Sequence, residues 1–186
     1  MRTNVSGFTL VELMLVVLIV AILSAIALPT YNGYMRKTSA AQAMQEMQKI
    51  SEQLERHKSK NFSYKNFNPG FLYQNVVNGV VNVPTGATGK AIKYRIYIRD
   101  ANDPTLRLDQ AAAVGKQWVI LAEANSSLNF GEPCTTCNAL QQQNYSFLLT
   151  STGIECKTKL ALKTADALTK TNLQAVKPCG GQSEDW

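Results

Sequence analysis

Gly7-Phe8-Thr9-Leu10-Val11-Glu12-Leu13 opens an apolar run that ends at Pro29. Of the 21 residues numbered 8–28, 18 are apolar, and only Thr9, Glu12 and Ser24 interrupt them. At ~1.5 Å of rise per residue such a helix spans roughly 30 Å, the hydrocarbon thickness of a bilayer. A core helix of a soluble protein would show a polar stripe, and this one shows none. The segment therefore reads as one that enters a membrane, either to stay or to be removed. Removal has its own signature. Arg2 gives a basic start, residues 13–23 an apolar region, and Ala25-Ile26-Ala27 a small-x-small cut that frees a soluble binding domain from Leu28 onward. Glu12 argues for retention, because a carboxylate at membrane depth costs ~2.5–3.5 kcal/mol and a signal peptide gains nothing from it.

The pattern beyond the run argues the same way. Pro29 ends or kinks a helix at Leu28, since it lacks a backbone donor and clashes with the preceding turn. Yet Ala40, Ala43, Met47, Ile50 and Leu54 recur at three and four residues, one apolar face of a helix. Lys37, Gln42, Glu46, Lys49, Gln53 and Arg56 lie on the other face, with Glu46–Lys49 and Glu52–Arg56 as favourable pairs. The expectation is one kinked helix from residue 8 to about residue 58, roughly 75 Å long. A removable signal needs no such continuation.

Composition sets the remaining limits. The chain has 186 residues, 45% hydrophobic and 17% charged, too apolar for disorder and long enough for one ordinary domain. Nineteen Lys+Arg against 13 Asp+Glu give a formal +6. The one histidine, His57, excludes a His-rich metal site. No nucleophile–base pair, phosphate loop or metal cluster stands out, so the chain is not expected to be an enzyme or to hold a cofactor.

Residues 61–91 mix Phe62, Tyr64, Phe67, Phe71 and Tyr73 with Asn and Gly, then reach Pro84-Thr85-Gly86. They read as a connecting loop whose aromatics cover the core edge. Ile92, Tyr94, Ile96 and Ile98 alternate with Lys93, Arg95, Tyr97 and Arg99, a half-buried strand. Residues 118–122 suit a central strand. Tyr145, Phe147 and Leu149 alternate in a third, followed by a turn at Ser151-Thr152-Gly153. Short turns between strands imply an antiparallel sheet. The helix face can cover one side of it, giving an α+β fold.

Cys134, Cys137, Cys156 and Cys179 allow three pairings, and spacing does not choose among them. The expectation is Cys134–Cys137 as a local link and Cys156–Cys179 closing a longer loop, with the crossed pairings open. Zinc is disfavoured because the second pair lacks CxxC spacing. A thioredoxin-like redox role lacks its βαβ context.

Lysines collect after Cys156: Lys157, Lys159, Lys163, Lys170 and Lys177 face only Asp166 before residue 178. Together with Lys93, Arg95 and Arg99 they are the candidate DNA-binding residues, with Tyr97 to stack a base. A solvated lysine-rich face is the favoured alternative.

The Gly7-Phe8-Thr9-Leu10-Val11-Glu12-Leu13 motif with its apolar run and Pro29 resembles the class III signal of the type IV pilin (prepilin) family. That resemblance implies a leader at 1–7, a transmembrane and filament-core helix at 8–28, and an amphipathic half at 29–60. It implies the loop at 61–91 and a sheet with a cysteine-bounded region at 92–186. A prepilin peptidase would cut between Gly7 and Phe8 and methylate Phe8. Glu12 would assist processing and assembly. Partners would be other pilin subunits and an inner-membrane assembly platform, with DNA as a further candidate. The chain would sit in the inner membrane with its C-terminal domain in the periplasm, then on a surface pilus. Arg2 before the run and Arg36 and Lys37 after it do not orient it by charge. The four cysteines, all in the last third, fit an oxidising side. Within the family a minor pilin is the expectation, from the cysteines and the long region after Cys156. A major pilin, a type II secretion pseudopilin and a DNA-receptor pilin are the alternatives.

Overall fold

The computed structural model describes residues 8–126 and 137–159, with Cys179, Glu184 and Trp186. The chain forms two compact units, Met1–Lys37 and Thr38–Trp186, and helix α1 (Leu10–Asn61) contributes to both.

The start of α1 is capped by its own sequence. Thr9 Oγ1 accepts the Glu12 backbone N–H at 3.2 Å, and Thr9-x-x-Glu12 has the spacing of a capping box. Glu12 thus occupies the first turn, where a carboxylate meets the positive end of the helix dipole. At the other end Asn61 gives way to Phe62, whose φ of +57° turns the chain out of the helix. Its N–H still donates to Lys58 O at 2.7 Å. The last turn carries Lys58 and Lys60, which suit the negative end of the dipole.

In the second unit α1 buries Ala43, Met47, Ile50 and Leu54 completely. They pack with Tyr94, Ile96, Ile98, Ile120, Ala122, Phe147 and Leu149 in one core. Met47, Ile50 and Leu54 each contribute ~1.5–3 kcal/mol by burial. The expected three-and-four spacing is the buried stripe, and Lys49–Glu46 and Arg56–Glu52 pair at 2.8 and 2.5 Å on the exposed side.

Five strands form the sheet: β1 (Val80–Val83), β2 (Tyr94–Asp100), β3 (Trp118–Ala124), β4 (Ser146–Thr150) and β5 (Glu155–Thr158). They lie in chain order, and every neighbouring pair is antiparallel. The α+β expectation holds, with three differences. β1 falls inside the segment expected to be loop, and β5 was not foreseen. Both are four-residue edge strands, too short for alternation to register. Three of the four connections are also longer than short turns, while residues 151–154 join β4 to β5 through the expected turn. Residues 101–117 join β2 to β3 and are organised by the buried Asp100 carboxylate, which accepts from the N–H groups of Asn102, Val114 and Gly115. Finally, the sheet is covered on both faces. All seven residues of β3 and all five of β4 are buried. A second cluster of Val119, Leu121, Leu148, Cys156 and Cys179 lies on the face away from α1.

Candidate assembly helix and basic residues

Every residue from Phe8 to Asn32 is exposed. Phe8 is 78% exposed, and the most apolar window of α1 is 0% buried within the chain's own fold. The apolar surface of the first unit therefore has no partner inside this molecule among the described residues. Two of its hydroxyls fold back onto the helix. Ser24 Oγ donates to Val20 O at 2.8 Å, and Thr30 Oγ1 donates to Ile26 O at 3.0 Å. Such back-bonding hides hydroxyls in a medium without water. Helix α1 runs through Pro29 without a break, so the proline loosens one turn and does not end the element. Gly7 lies outside the described residues. The cap made by Thr9 was not among the sequence expectations, although the T-x-x-E spacing carried the signal.

The basic residues do not form one patch. Alternation along β2 puts Lys93, Arg95, Tyr97 and Arg99 on the face away from α1. The register that pairs Ile96 with Ala122, Ala122 with Phe147 and Phe147 with Lys157 puts Lys157 on the α1 side. The two groups thus occupy opposite faces of the sheet. The first is half-buried and internally committed. Arg95 Nη1 donates to Asn125 Oδ1 at 2.8 Å, and Arg95 stands opposite the buried Glu123. Arg99 lies over the Tyr97 ring at 5.6 Å, and its guanidinium is held below its usual range by burial and then by Arg107. Burial, reinforced by Glu123, pushes the Tyr97 hydroxyl up to about 12. The half-buried character expected of this strand is what the fold shows. In the second group, Lys157 and Lys159 flank the Tyr145 ring at 5.6 and 5.0 Å. Lys157 Nζ also reaches Glu184 at 3.4 Å, while the backbones of the two residues exchange hydrogen bonds. Lys163 lies outside the described residues.

Cys156 and Cys179 form the expected disulfide, 23 residues apart, and both are buried. Cys137 is also disulfide-bonded, while Cys134 lies outside the described residues. Among the described residues no group of three or more His, Cys, Asp or Glu side chains could hold a metal ion. A surface cleft of about 450 Å³ is lined by Glu46, Lys49, Tyr73 and Thr85. Its Glu46 carboxylate already binds Lys49 Nζ and the Tyr73 hydroxyl, each at 2.8 Å.

An exposed apolar helix with an acid in its first turn, continued by an amphipathic half on an antiparallel sheet, defines a pilin-like class of protein. Known sequences carry it further. Residues 2–28 match the family described as the prokaryotic N-terminal methylation motif. Over 126 residues the chain is 31% identical to a type IV major fimbrial protein FimA of Dichelobacter nodosus, covering 63% of this chain and 81% of that one. Another FimA of the same organism is 48% identical over 44 residues, 24% of this chain and 28% of the relative. Prepilin peptidase-dependent protein D of Escherichia coli is 54% identical over 39 residues, 21% and 27% of the two chains. The chain thus spans little more than a quarter of the length of these last two relatives. No solved structure matches it. The chain belongs to the type IV pilin family, whose members are structural subunits and not enzymes.

Proposed function

We propose that this protein is a filament subunit, cut after Gly7 and methylated on Phe8, whose first helical half moves from the inner membrane into the core of a pilus. The observation that carries this is that every residue from 8 to 28 is exposed within the chain's own fold. A bilayer covers that surface first, and helices of other subunits cover it afterwards. Glu12 has a role in both settings. The new amine on Phe8 is a cation near the same helix end, and a carboxylate in hydrocarbon needs such a partner. The pairing is most favourable between a docking subunit and its neighbour. Prepilin peptidase and an inner-membrane assembly platform are the partners this route requires. The second unit, with its disulfide, faces the oxidising periplasm and later the cell surface.

The test is the mass of the mature chain and its N-terminal peptide. Methylated Phe8 at the terminus is the expected result, and a chain beginning at Leu28 overturns the reading. Within the family we read a minor pilin, on the four cysteines and the long region after Cys156. The relatives named as major fimbrial proteins favour a major subunit instead. Copy number in purified filaments separates the two.

A further inference from the structure

We infer that Phe62 anchors a docking surface for an acidic partner protein. Its side chain is 92% exposed although it is a large aromatic. Its backbone sits at φ +57°, in the left-handed region that a bulky residue occupies only at a cost. Glycine or asparagine would end the helix here without either penalty. The position is also rigid. Asn61 Nδ2 donates to His57 O at 3.0 Å before it. After it, Ser63 Oγ and the Tyr64 N–H both donate to Gly115 O, at 3.1 and 2.9 Å. A Cβ on Gly115 would lie 2.5 Å from Lys65 N, so the two segments meet as closely as backbone allows. Phe62 is therefore held out by a fixed turn, not by a loose loop. A rigid exposed aromatic gives contact area at little entropic cost, which is the character of an interface anchor. Val114, half-exposed and next to Gly115, adds a second apolar side chain to this end of the domain.

Charge selects the partner. Residues 57–65 carry Lys58, Lys60 and Lys65 and no acid, and Lys116 follows Gly115. The nearby Glu52 and Glu55 are taken up by Arg56 and by Tyr64. The surface thus presents one apolar knob among cations. Its complement is an apolar socket rimmed by carboxylates. The inference concerns the second unit alone and does not depend on filament assembly.

The experiment places a photoreactive phenylalanine analogue at position 62 of the full chain, in cells that produce it. The expected product is an adduct with a different protein, through a peptide rich in Asp and Glu. That partner is then tested for binding to the detergent-solubilised full chain. Phe62→Gly and, separately, Lys58→Glu with Lys60→Glu should each weaken binding by roughly tenfold or more. Phe62→Gly should do so without lowering the melting temperature, because glycine adopts this φ freely. The inference is overturned by adducts confined to a second copy or to lipid, by no adduct, or by an acid-poor contact peptide. Binding of Phe62→Gly within about twofold of the parent also overturns it.

Discussion

Glu55 Oε1 accepts hydrogen bonds from the Tyr64 hydroxyl at 2.8 Å and from Trp118 Nε1 at 3.2 Å. One carboxylate oxygen thus ties α1, the turn that follows it, and the first residue of β3. Both donors belong to side chains that are almost fully buried. Glu55→Ala leaves two ring donors to find other acceptors, and should cost about 1–2 kcal/mol. Thermal unfolding followed by Trp fluorescence measures it. Glu55→Gln keeps an acceptor and should cost less.

Among the described glycines, Gly115 has the least room for a side chain. Its φ is +68°, and an added Cβ would meet Lys65 N, Cβ and Cα within 3 Å. Gly115→Ala therefore combines a steric clash with backbone strain, and should destabilise by about 2 kcal/mol or more. Gly153→Ala, at φ +81° with open space around it, carries the strain alone and should cost less. Denaturant midpoints of the two variants give the comparison.

The Cys156–Cys179 bond closes a loop across a separation of 23 residues. Loop-closure entropy assigns such a link about 3 kcal/mol. Both sulfurs also lie in the second apolar cluster. Replacing the two with Ser should lower the denaturant midpoint of the second unit by a corresponding amount. Mass spectrometry after non-reducing digestion checks that the bond exists in the purified chain.

Tyr97 gives the fold an alkaline limit. Its hydroxyl is raised to about 12, first by burial and then by Glu123, against about 10 in an unfolded chain. The folded state therefore holds this proton more tightly than the unfolded state. The resulting stability is complete below pH ~10 and is lost as pH rises toward about 12. Tyr94 is raised in the same direction by burial. Stability followed by circular dichroism should fall over this window, and Tyr97→Phe should flatten the slope.

Arg95 donates to Asn125 and lies opposite the buried Glu123 in the β2–β3 register. Arg95→Ala leaves a buried carboxylate short of a counter-charge and should cost about 3 kcal/mol. Adding Glu123→Gln should recover part of that loss, a coupling that a double-mutant cycle in urea reads directly.

Helix α1 was legible because its two halves obey different rules, unbroken apolarity before Pro29 and three-and-four spacing after Ala40. β2 and β3 were legible for the same kind of reason, alternation in one and a continuous apolar run in the other. β1 and β5 were not, since Val80–Val83 and Glu155–Thr158 are too short to show a period. The second covered face was hidden because Arg95 and Arg99 read as residues facing water. The clue was Glu123, an acid inside the apolar strand Trp118–Ala124 that falls opposite Arg95 once the strands are paired. The disulfide was one of three pairings in sequence and became a fact only with the fold. Phe62 passed as one aromatic among several, because exposure and left-handed φ leave no mark on composition.

The bare apolar surface from Phe8 onward has a thermodynamic consequence. Water is its worst medium, but lipid tails and the leucines of a neighbouring helix are almost equally good ones. Exchanging the second for the third releases little water, so the hydrophobic effect scarcely distinguishes them. On the proposed route, the choice would fall to close fit between helices and to a charge brought opposite Glu12. An exchange so nearly balanced needs only a small bias to run in either direction, and the same helix can be taken up and given back.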